Sequence, residues 1–67
     1  MSVYKIVEIV GTSEKSWDDA AAQAVARASQ SLRDLRVAEV TKFDMTMKDG
    51  KVEHYRTRLS VSFKFDG

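Results

Sequence analysis

The chain has 67 residues, with 11 Lys and Arg against 10 Asp and Glu, one His, no Cys and no Pro. This length allows one domain over residues 1–67, and a lone chain of this size is marginal because it buries only about 60% of its unfolded surface. The missing Cys excludes disulfides and thiolate metal sites, and the single His excludes a several-His site within one chain. We therefore expect oligomerisation and a protomer that is not stable alone.

The net charge of +1 argues against a nucleic-acid surface that depends on a large positive field. No apolar run approaches the roughly 20 residues needed to span a bilayer. The first residues show no basic segment followed by an apolar stretch, so no secretory signal is predicted. We expect a cytoplasmic protein with neither a nucleic-acid nor a membrane partner.

The first half of the chain predicts a strand and then a helix. Residues 3–10 are rich in β-branched side chains on both faces, which predicts a strand that is central or covered twice and ends at residues 11–13. Ser16 fits a helix N-cap with Asp19 three positions later, as in a capping box. The helix is predicted from Trp17 to about Leu35. Its apolar stripe has spacings of three and four and consists of Trp17, Ala21, Ala24, Ala28, Leu32 and Leu35.

The second half predicts a β-hairpin. Residues 37–47 form the second strand, with Phe43, Met45 and Met47 on one face, and Asp49-Gly50 supplies the positive φ of a tight turn. From His54 to Phe65 apolar residues alternate with polar or basic ones. The prediction is an α+β fold of the order β-α-β-β, in which a three-stranded antiparallel sheet packs its apolar face on one helix.

No catalytic arrangement is predicted. His54 is the only imidazole and fits a solvated position on the polar strand face, and Asp18-Asp19 fits the acidic first turn of a helix. The chain has neither a Walker phosphate loop nor Gly-x-Gly-x-x-Gly. Trp17 lies on the apolar helix stripe, where packing is the simpler role. We expect a protein that is not an enzyme.

The polar strand face carries the candidate binding residues. Arg56, Arg58 and Lys64 form a basic stripe that is either a solvated face or the lining of an interface or cavity that attracts anions. In a symmetric assembly each acidic side chain is likewise repeated once in every copy. Three copies of one carboxylate at a three-fold axis would suit Ca²⁺ or Mg²⁺, and Glu39 and Asp44 are the candidate ligands.

The chain resembles the dodecin family over essentially its whole length. The segments that carry the resemblance are residues 3–13, Ser16-Trp17, 26–28, 38–40 and 61–65. The resemblance implies a sheet wrapped around the helix and a hollow shell of twelve copies. It also implies a non-catalytic role, since typical members bind and store flavins in stacked pairs, and bacterial members bind FMN or, in some cases, coenzyme A.

Four functional positions of the family can be compared with this chain, and two of them, Val37 and Arg56, are flavin-pocket positions. Val37 stands where flavin-binding members have a stacking Trp, and Arg56 stands where they have a Gln that bonds the ring edge. Asp44 stands where many bacterial members have Arg, whereas Lys64 keeps a basic position. Val offers no aromatic face, and Arg cannot reproduce the donor and acceptor of an amide. These substitutions are similar to those of a Trp-lacking branch for which calcium binding has been proposed.

Three functions follow from these residues. The favoured one is a homododecameric shell that binds a small ligand, with calcium or another divalent cation preferred to flavin. The first alternative is storage of flavin (FMN or riboflavin) in a pocket of different chemistry. The second is a scaffold or stress-related assembly without a small ligand.

Overall fold

The computed structural model describes residues 2–65 and contains the four predicted elements in the predicted order. Strand β1 spans Tyr4–Ser13, helix α1 spans Trp17–Ser31, strand β2 spans Leu35–Lys48 and strand β3 spans Lys51–Lys64. The strands form one antiparallel sheet in the order β1-β3-β2. The α+β prediction, a three-stranded antiparallel sheet packed on one helix, is confirmed.

Strand β1 lies at an edge of the sheet, and β3 occupies its centre. The prediction of a central or doubly covered β1 was therefore wrong for the protomer. An apolar pattern on both faces shows that both faces favour burial, but it does not say which strand is the hydrogen-bonded neighbour. Tyr4, Ile6 and Val10 point away from the helix and are 49–64% exposed.

Gly11 lies within β1, which ends at Ser13, inside the predicted range of 11–13. A Cβ atom on Gly11 would overlap the main-chain carbonyl of Ala20 and lie 2.9 Å from the Cβ of Ala24. The glycine therefore lets the helix backbone approach the sheet, and its role is close packing instead of strand termination.

The helix begins as predicted but ends earlier. The Ser16 hydroxyl accepts a hydrogen bond from the Asp19 amide at 3.0 Å, so the N-cap is confirmed. The Asp19 carboxylate accepts instead from the Ser13 hydroxyl and the Gln23 amide, both at 2.6 Å, so the capping box is incomplete. The helix ends at Ser31 because the backbone turns extended at Leu32 and left-handed at Asp34 (φ 53°).

The buried side of the helix is centred on Ala20 and Ala24. The predicted stripe was rotated slightly, since it omitted Ala20, and it was too long. Leu32 follows the helix and Leu35 is already in β2, where it pairs with Phe63.

The hairpin turn is confirmed. Asp49 and Gly50 have φ values of 53° and 75° and connect Lys48 directly to Lys51, which is the pattern of a two-residue type I′ turn. Both hairpin strands are 14 residues long and extend beyond the predicted limits, since β2 starts before Val37 and β3 starts before His54.

The core of the protomer is small. Among residues 2–65 the buried hydrophobic side chains are Ala20, Ala24, Leu59 and Val61, beside the buried Thr57. Strand β2, in contrast, exposes large apolar side chains, namely Val37, Val40, Phe43, Met45 and Met47. No helix in the described part of the chain is long and apolar enough to cross a membrane.

Candidate functional site

The sheet has a covered face and an open one. Thr57, Leu59 and Val61 of β3 face the helix and are buried. The residues between them point to the opposite side, which we call the outer face. Directly paired residues share a face of a sheet, so their partners on β1 and β2 also lie there. The outer face thus contains Arg56, Arg58, Ser60, Ser62 and Lys64 with partners that include Glu8, Val37, Glu39, Lys42 and Asp44.

A bulge in β2 brings both candidate acids to the outer face. Strict alternation places Glu39 and Asp44 on opposite faces, because their positions differ by an odd number. The register shifts at Thr41, so Glu39 pairs with Ser60 and Asp44 pairs with Arg56. The extra residue moves each later side chain of β2 to the face opposite to the one that strict alternation predicts, so Asp44 joins Glu39 on the outer face.

Asp44 and Arg56 form a two-pronged ion pair on the outer face. The Arg56 Nε donates to Asp44 Oδ1 at 2.6 Å, and Nη2 donates to Oδ2 at 2.7 Å. The Arg56 hydrogen bonds lower the pKa of the Asp44 carboxyl, and the charges of Lys42 and Arg58 act in the same direction. In return, Asp44 raises the pKa of Arg56. Both carboxylate oxygens are therefore engaged within the protomer.

Trp17 contacts β2 at Asp44 from the side of the sheet that faces the helix. Its indole N–H donates to the main-chain carbonyl of Asp44 at 2.9 Å, and its ring packs edge-on against Phe43 and Tyr55. The Thr57 hydroxyl donates to the Trp17 carbonyl at 2.9 Å. The predicted packing role of Trp17 on the sheet is confirmed. The indole bond joins residues 27 apart, so no local sequence signal could reveal it.

Glu39 lies in the middle of the outer face. It pairs with Ser60, which pairs on its other side with Glu8, so a row of Glu39, Ser60 and Glu8 crosses the sheet. The Glu39 side chain has no hydrogen bond or ion pair within residues 2–65, whereas the Glu8 carboxylate lies 3.9 Å from Arg58. Across the same range no group of three or more His, Cys, Asp or Glu is assembled for a metal. Sequence reasoning did not single out Glu8 or Ser60, because only the register aligns them with Glu39.

The four positions compared with the family fall at two ends of the outer face. Val37 and Lys64 lie at one end, where Val37 pairs with Ser62 and is 61% exposed. Asp44 and Arg56 lie near the other end. Ser62 and Arg56 are six residues apart on β3, about 20 Å at about 3.3 Å per residue. One protomer therefore does not bring all four side chains together.

A polar recess lies at the start of the helix. It has a volume of about 290 Å³ and is lined by the end of β1, the β1–α1 connection, Asp19, Gln23 and His54. The hydrogen bonds from Ser13 and Gln23 lower the pKa of Asp19. The half-exposed His54 has its Nδ1 3.5 Å from the Thr46 hydroxyl and 3.7 Å from Glu53. The Ser13 hydroxyl donates to Asp19, and within residues 2–65 no hydrogen bond joins it to His54.

Comparisons with known proteins agree with the fold. The Dodecin family model matches residues 3–66. The chain belongs to the dodecin family. It is 52% identical to the calcium dodecin of Mycobacterium tuberculosis over 64 residues, which are 96% of this chain and 90% of that protein. It is 41% identical to the dodecin of Thermus thermophilus over 64 residues, which are 96% and 93% of the two chains.

Solved dodecins have the same fold. The dodecin from Streptomyces davaonensis superposes with a TM-score of 0.92 at 33% identity, covering 98% of this chain and 97% of the other. The crystal structure of the calcium dodecin from Mycobacterium tuberculosis, described as having a novel calcium-binding site, superposes with a TM-score of 0.86 at 52% identity. That match covers 97% and 93% of the two chains.

Proposed function

We propose that this dodecin is the protomer of a non-catalytic, homododecameric shell that binds a divalent cation, calcium in preference to flavin. The observation that carries the proposal is the 52% identity, over 96% of the chain, to a protein named calcium dodecin. A cytoplasmic location, a single domain over residues 1–67 and the absence of nucleic-acid or membrane partners belong to the same proposal.

The exposed apolar surface supports assembly. The protomer buries four hydrophobic side chains among residues 2–65, whereas β2 leaves Phe43 55% and Met47 57% exposed. A chain with such a small core gains most by covering this strand with further copies. Oligomerisation thus supplies the apolar burial that one protomer lacks.

The outer face supports a cation more than a flavin. Val37 provides no ring for stacking, and Asp44 occupies the Nε and Nη2 donors of Arg56 and adds a negative charge beside it. Of the two candidate ligands, Glu39 is the better one. Its carboxylate has no partner within residues 2–65, and its cross-strand neighbour Ser60 is small and carries a further oxygen. Carboxylate and hydroxyl oxygens are hard donors of the kind that Ca²⁺ prefers.

The test is calcium titration of the purified assembly by calorimetry and thermal unfolding. A ligand that binds only the native state adds about 2.7 kcal/mol of stability at a concentration of 100 Kd. We expect the wild type to show a heat of binding, and to unfold at a higher temperature with Ca²⁺. Glu39→Gln should remove both effects, whereas Glu14→Gln, which changes an exposed acid far from the row, should keep them. Equal responses of the two variants would exclude Glu39 as a ligand, and no response of the wild type would exclude the calcium proposal.

A further inference from the structure

The outer face contains a basic cluster around Asp44. Arg56 pairs with Asp44 across the two strands, and the next pair on the outer face is Lys42 with Arg58. All three cations act on the Asp44 carboxyl and lower its pKa. The side chains of Arg56 and Asp44 are 40% and 37% exposed, so the pair is open to solvent and to ligands.

Asp44 occupies the place that an oxyanion would take in this cluster. A guanidinium presents parallel N–H donors that match the two oxygens of a carboxylate or a phosphate. In Arg56 the Nε and Nη2 donors are both used, at 2.6 and 2.7 Å, by the carboxylate of the same chain. An external oxyanion therefore finds this edge of the guanidinium occupied, and at the remaining Nη1 and Nη2 donors it meets the negative charge of Asp44.

We propose that Asp44 is an internal counter-ion that excludes anionic ligands from the outer face, and that removing its charge turns Arg56 into an oxyanion site. Asp44 then determines the ligand specificity of this surface, selecting against phosphate-bearing molecules. This inference does not depend on calcium binding, because it concerns only the pairing of Asp44 with Arg56.

Replacing the Asp44 side chain leaves the main-chain contact at this position in place. Trp17 contacts the main-chain carbonyl of Asp44, so that hydrogen bond remains when the side chain changes. Asp44→Asn keeps the shape of the residue but removes its charge, and Asp44→Ala also removes the remaining acceptor. Glu53→Gln is the matched control, because it removes one negative charge near the same end of the sheet from a residue that contacts Thr46 and His54 and no arginine.

The experiment is calorimetric titration of the assembled protein with inorganic pyrophosphate in calcium-free, phosphate-free buffer. We expect Asp44→Asn and Asp44→Ala to bind pyrophosphate about tenfold more tightly than the wild type. This gain in affinity is the lower end of the range expected for charge-assisted hydrogen bonds to a freed guanidinium. Glu53→Gln should match the wild type. Adding Arg56→Gln to Asp44→Asn should abolish the gain.

Three results would overturn the proposal. One is wild-type binding as tight as that of the Asp44 variants. Another is an equal gain in Glu53→Gln, which would indicate a general effect of net charge. The third is a gain that persists when Arg56 is replaced, since the freed guanidinium would then not be the binding group. Should only one Asp44 variant assemble, that variant decides the outcome.

Discussion

Replacing Gly11 by Ala tests whether the helix is packed against the sheet at its closest possible distance. The new methyl group would overlap the carbonyl of Ala20, and this atom belongs to helix backbone that cannot rotate away. The contact with the Ala24 Cβ, at 2.9 Å, is also shorter than real Cβ atoms tolerate. The helix must therefore move outward, and an overpacked site of this kind costs about 1–3 kcal/mol in the free energy of unfolding.

Urea unfolding followed by circular dichroism measures this cost. With a slope of about 1–3 kcal/mol/M for a small protein, we expect the midpoint to fall by about 1 M. Protein concentration must be equal in all samples, because the stability of an oligomer depends on it. Thr12→Ala, a change at the exposed neighbouring position, should stay within about 0.5 kcal/mol of the wild type. A Gly11→Ala protein as stable as Thr12→Ala would refute the close-packing argument.

Two further predictions concern acid stability and flavin. The hydrogen bonds from Ser13 and Gln23 lower the pKa of Asp19 in the folded protein. The ionised Asp19 side chain therefore stabilises the fold above about pH 4, and this stabilisation is lost as the pH falls through the lowered folded-state pKa. Asp19→Asn should therefore destabilise the protein at pH 7 but much less at pH 2, and an equal loss at both pH values would contradict this. Riboflavin fluorescence should not be quenched by the wild type but should be quenched by Val37→Trp, because an aromatic stacking contact adds about 0.5–1.5 kcal/mol. Equal quenching by both proteins would show that the wild-type surface binds flavin without the ring.

The ion pair and the bulge together explain why this outer face differs from a simple basic stripe. The sequence predicted Arg56, Arg58 and Lys64 on one face, and the register places them there. Thr41 then shifts the alternation of β2 so that Asp44 lies opposite Arg56. One inserted residue thus brings both Lys42 and Asp44 to the face that carries Arg56 and Arg58, so that the arginines there face a counter-charge.

The sequence alone determined the features that depend on neighbouring residues. The type I′ turn at Asp49-Gly50 follows from the ability of these two residue types to adopt positive φ. The N-cap at Ser16 follows from a side-chain hydroxyl that stands three positions before the Asp19 amide, from which it accepts a hydrogen bond. The alternation of β3 likewise predicted which of its faces is buried. Each signal lies within a few positions of the chain, so reading it requires no knowledge of the fold.

Only the tertiary structure decided the features that join distant parts of the chain. The central position of β3, the contact of Gly11 with Ala20 and the bond from Trp17 to Asp44 all depend on how the elements pack. Even the pairing of Asp44 with Arg56 depends on a strand register that a single bulge changes. These contacts are fixed by the packing of one small helix on a sheet, and a linear pattern does not encode them locally.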